Sequence, residues 1–98
     1  MREVVYSVDD FLRIAKQKGV NLADCKLDFQ ERPTETTDEK FRGLFITVTG
    51  TLLVPTPSGN LLVLEFQPLV CTKFDEDKIR QYIENVKKTL EEKGIPFT

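Results

Sequence analysis

Apolar residues recur along this chain in two rhythms, and the rhythm changes at glycine and proline. Val8, Phe11, Leu12 and Ala15 repeat at helical spacing, as do Ile79, Tyr82, Ile83, Val86 and Leu90. Between these segments the period is two. Cys25, Leu27 and Phe29 alternate with Lys26, Asp28 and Gln30, the signature of a half-buried strand.

Each helix carries its own punctuation. Ser7 stands at an N-cap position with Asp10 three residues on, and Tyr6 and Phe11 flank it at staple positions. Gly19 suits the left-handed residue that closes a helix, and Val20 follows as its apolar closer. The pattern predicts a helix over 8–18. Asp75 predicts the second N-cap, with Phe74 and Ile79 as staple. Glu76–Arg80 and Glu84–Lys88 are spaced for ion pairs along its outer face. Gly94 ends it, Ile95 packs back and Pro96 prevents continuation.

The remaining segments read as strands and turns. Val4, Val5 and Tyr6 make a short strand of the first six residues. Residues 31–40 are polar and predict a mobile loop. Phe41–Val54 is rich in β-branched and aromatic residues and is the strongest strand signal, with Gly50 marking a bulge or sharp coil. Residues 55–60, Pro-Thr-Pro-Ser-Gly-Asn, form a turn that hands the chain to a strand from Leu61 to about Thr72. These two strands should pair as a hairpin. The order is β-α-β-β-β-α, with room for a last short strand at 95–98. This is a single α+β domain over 1–98, a curled antiparallel sheet with two amphipathic helices packed on one face.

Composition narrows the chemistry. The net charge is −2, whereas nucleic-acid binders carry a basic excess to neutralise phosphates. No histidine is present, which removes histidine-activated nucleophiles, histidine bases and histidine metal ligands. Cys25 and Cys71 lie far apart, with no CxxC spacing, and read as buried core thiols. No signal segment or membrane-spanning apolar run is visible, so a cytoplasmic location is expected. The absence of tryptophan, the single methionine and the abundant Lys and Glu lean toward a thermophilic protein.

Acidic clusters at Asp9-Asp10 and Asp75-Glu76-Asp77 read as complements to helix dipoles. Glu65 is different, because it interrupts the apolar run of residues 61–67. The α-β-β-β-α order, with Glu65 and Gln67 late in the third strand, resembles the restriction-endonuclease-like nuclease fold. That resemblance implies a metal held by Glu65 and an acid near Gly50–Thr51, where the chain has none; Gln67 stands where the family has Lys. A converging site would also need Asp28 or Glu31 beside Glu65. The same order resembles the double-stranded-RNA-binding domain, whose lysines at the start of the last helix are here replaced by Asp75, Glu76 and Asp77, with Lys78 following.

The main functional lead is an apolar surplus on the two long strands. Alternation puts Leu62, Leu64 and Phe66 on one face and Leu61, Val63, Glu65 and Gln67 on the other. Two helices can cover only one face of a small sheet. The expected interaction surface is therefore Phe45, Leu53, Leu61, Val63 and Glu65, in a non-enzymatic protein-interaction module that forms a homodimer through its sheet. No cofactor, metal or nucleic-acid partner is expected.

Overall fold

A computed structural model describes all 98 residues, Met1–Thr98. In chain order the elements are β1 (Arg2–Val5), α1 (Val8–Lys18), a 3-10 turn (Leu22–Asp24), β2 (Lys26–Pro33), a second 3-10 turn (Glu39–Phe41), β3 (Phe45–Pro55), β4 (Leu61–Glu65), β5 (Leu69–Thr72) and α2 (Glu76–Glu92). The predicted α+β order is met, with the last predicted strand divided into β4 and β5.

The sheet is open and mixed, and runs β1-β4-β3-β2, with β5 also paired to β3. The predicted hairpin is present: β3 and β4 run antiparallel, from Thr51 opposite Glu65 to Pro55 opposite Leu61. β2 pairs antiparallel with β3 over its whole length, Lys26 opposite Leu53 to Pro33 opposite Ile46. Three of the residues expected in the 31–40 loop thus belong to a strand. One pairing departs from an all-antiparallel sheet, since β1 lies parallel to β4, Arg2 beside Leu61 through Val5 beside Leu64. β2 already fills the far side of β3, so the first strand docks on the free edge of β4. A parallel neighbour requires a long crossover, and α1 with the β2–β3 hairpin supplies it.

β3 changes partner midway. Its second half pairs with β4 and its first half with β5, Phe45 opposite Thr72 to Val48 opposite Leu69. The break falls at Phe66-Gln67-Pro68, where proline has no N–H to give a ladder. Phe66 still donates its N–H to the Gly50 carbonyl at 2.9 Å. The Gly50 N–H donates instead to the Tyr82 hydroxyl of α2, also at 2.9 Å. At Gly50 the sheet thus shows a change of partner and an aromatic anchor, and no marked curl.

Both helices pack on one face of the sheet. Phe11, Ile14 and Ala15 of α1 and Val86 and Leu90 of α2 meet Leu52, Val54, Leu62 and Leu64 in one cluster. Cys25 and Ile95 complete it. The α1 caps form as the residues dictate. Ser7 Oγ accepts the Asp10 N–H at 3.0 Å, and Gly19 adopts φ 69°. Ile95, after left-handed Gly94, donates back to the Leu90 carbonyl at 3.0 Å and is buried.

Three local expectations are corrected. Asp75 does not cap α2; its carboxylate accepts the Thr72 N–H at 3.1 Å, tying the linker back to β5. Tyr6 and Phe74 remain 73% and 72% exposed, so neither staple inserts into the core. Arg80 pairs with Asp77 at 2.9 Å, both exposed, a contact of small stabilising value.

The Cα radius of gyration is 15.3 Å, above the ~13 Å of a compact chain this long. The long β2–β3 hairpin stretches the molecule to 49 Å, and its far end, Gln30–Pro33, is exposed apart from the register contacts to β3. No helix is long and apolar enough to cross a membrane.

Candidate interaction surface

Strand periodicity decides which side chains meet the helices. In β3, Val48, Gly50, Leu52 and Val54 are buried, and the residues between them are half-buried. Those between point to the face that no helix covers. Pairing extends this into rows across the open face: Val4, Val63, Leu53 and Lys26; then Glu65, Thr51 and Asp28; then Thr49 and Gln30; then Val70, Thr47 and Arg32; then Thr72 and Phe45. A further row joins Arg2, Leu61 and Pro55 at the opposite end.

All five residues of the expected surface lie on this open face. Phe45, Leu53, Leu61 and Glu65 are half-buried. Val63 differs, at 3% exposure. It sits in a central strand between Val4 and Leu53, outside the cluster that the helices cover. Sequence periodicity missed two members. Val4 is 38% exposed and joins the face only through the parallel β1–β4 pairing, which has no local signal. Val70, 58% exposed, lies on the same face as Leu61 because the three-residue break shifts the alternation from odd to even numbers. The same shift carries Cys71 to the helix side, where it is buried. Pro68 was the available signal.

Apolar side chains gather at the two ends of the face, Val4, Leu53, Leu61 and Pro55 at one and Phe45 and Val70 at the other. Phe41 adds to the second, its ring 6.1 Å from that of Phe45. Threonines 47, 49 and 51 run between them, flanked by Asp28, Gln30, Arg32 and Glu65. The first end holds a groove of about 590 Å³, with Ala23, Leu53, Pro55 and Leu61 as its apolar lining and Arg2, Asp24 and Lys26 as its charged side chains.

Glu65 and Asp28 stand on either side of Thr51, two strand spacings or ~10 Å apart in backbone. Glu31 is opposite Val48 and so belongs to the helix face. The three carboxylates do not converge, and two-metal chemistry needs ions ~3.5–4 Å apart. No cluster of three or more His, Cys, Asp or Glu side chains capable of holding a metal occurs. The first turn of α2 presents Glu76 and Asp77, acids where a duplex-RNA grip needs cations.

Both cysteines are free and buried. Burial, helped by the neighbouring Asp24 charge, pushes the Cys25 thiol up to about 11. Burial also raises Cys71, with Asp75 adding to it. Both remain protonated thiols at neutral pH, the inert form. Neither family models, curated proteins nor solved structures provide a match to this chain.

Proposed function

We propose that the chain is a non-enzymatic, cytoplasmic interaction module that self-associates through the open face of its sheet. The observation that carries this reading is one-sided coverage: both helices pack on the Leu52–Leu64 side, and the other side retains Phe45, Leu53, Leu61, Val4 and Val70. Apolar patches of several hundred Å² on soluble proteins mark interaction sites. From strand spacing and rise, the face covers about 600 Å² per copy. Two copies would bury about 1,200 Å², the lower end for a specific interface. The face mixes Arg2, Lys26 and Arg32 with Asp28 and Glu65, so a second copy meets both signs of charge. Two free buried thiols suit a reducing compartment. Light scattering over a concentration series tests the reading. A mass rising from 11.3 kDa toward twice that value supports it, and 11.3 kDa at every concentration removes it.

A further inference from the structure

Arg2 and Asp24 line the same groove, yet neither belongs to any of the ion pairs within the chain. Two directions of a two-fold axis lay a second copy on the open face with the strands of the two sheets aligned. With the axis across the strands, β2 lies over β2 and β4 over β4. Lys26 or Asp28 then faces its own copy, or, half a row away, Asp28 gains Lys26 but Glu65 is laid on Val63. Each choice opposes like charges or places a carboxylate on an apolar side chain.

With the axis along the strands, between β3 and β4, β4 lies over the β3 of the second copy and β1 over its β2. The rows stay in step. Leu53 then lies above the already buried Val63, Leu61 meets Pro55, and the stem of Lys26 covers Val4. At the edge of this stack Arg2 reaches Asp24 of the other copy. Aligned sheets cross at about 30°, which shifts outer pairs more than central ones, and the long Arg2 side chain takes up that shift.

We infer that the partner of this face is a second copy related by a two-fold axis along the strands, with Arg2 of each copy paired to Asp24 of the other across the groove. The inference rests on the self-association reading but makes a separate claim, the geometry. A charge swap tests it, using sedimentation equilibrium on the 98-residue chain with no residues added before Met1. Arg2→Asp and Asp24→Arg each oppose like charges at two symmetric places, and each weakens association about tenfold. The double variant restores it to within about threefold of the parent. Melting curves that match the parent exclude misfolding as the cause. Single variants that associate like the parent, or a folded double variant that stays weak, overturn the geometry and leave self-association standing. A parent that never associates removes both.

Discussion

The hydroxyl of Tyr82 bridges the one gap in the β3 ladder, and its removal has a calculable effect. The Gly50 N–H lies where β3 has left β4 and not yet met β5, and it donates to Tyr82 Oη at 2.9 Å. Gly50 is buried, so a lost acceptor leaves a main-chain donor unsatisfied. Tyr82→Phe removes the oxygen and keeps the ring, which stands edge-on to Phe29 at 6.3 Å. An unsatisfied buried donor costs about 1–3 kcal/mol; Tyr82 is half-buried, which admits some water and favours about 1–2 kcal/mol. Each kcal/mol lowers the melting temperature by about 4–8 °C in a domain this size. Urea unfolding followed by far-UV circular dichroism measures it, with an unchanged m-value showing that only stability moved. Tyr6→Phe, at a site 73% exposed, is the control and should change nothing. A Tyr82→Phe protein within about 0.5 kcal/mol of the parent would refute the anchoring role.

Three further outcomes follow from the same structure. Gly50→Ala places a Cβ 3.0 Å from Phe29 Cε1 and 3.4 Å from Val86 Cγ2, and unfolding should show a net loss of about 1 kcal/mol or more; Gly50→Val should lose more. Cys25 rises from 9.0 unfolded to about 11 folded, so its contribution is complete below pH 9 and is lost as pH climbs through 11. Cys25→Val should flatten that alkaline fall in urea titrations, only in part, because Cys71 and Tyr82 are raised in the same direction. Asp75 is held below its usual range by the Thr72 hydrogen bonds, so its stabilising effect is present above the ordinary carboxylate range and fades on acidification, and Asp75→Asn should shrink the acid limb of a stability–pH curve.

Features set within a few residues were legible in the sequence. Ser7, Gly19 and Gly94 punctuate the helices through local hydrogen bonds and positive φ, so their roles show without knowledge of the rest of the chain. The β3–β4 hairpin was legible for the same reason. Features that depend on distant pairing were not. Nothing near Arg2–Val5 says that the strand will lie parallel to β4, and nothing near Gly50 names Tyr82, 32 residues away, as its acceptor. Asp75 shows a local rule losing to a neighbour: its backbone is not in the extended cap conformation, and its carboxylate accepts the Thr72 N–H instead. The open face was half legible: alternation placed Phe45, Leu53, Leu61, Val63 and Glu65 together, but burial of Val63 and the arrival of Val4 and Val70 needed the strand order.

Self-association through the open face stands or falls on one comparison, sedimentation equilibrium of the parent against Leu53→Glu. Leu53 is half-buried on that face and outside the helix-side core, so the substitution spares that core; because Leu53 also flanks buried Val63, it should cost some stability without unfolding the chain. The expected result is a parent mass rising from 11.3 kDa with concentration, and a Leu53→Glu protein that unfolds cooperatively, several degrees below the parent, yet stays at 11.3 kDa. A parent fixed at 11.3 kDa, or a Leu53→Glu protein that associates as the parent does, would contradict it.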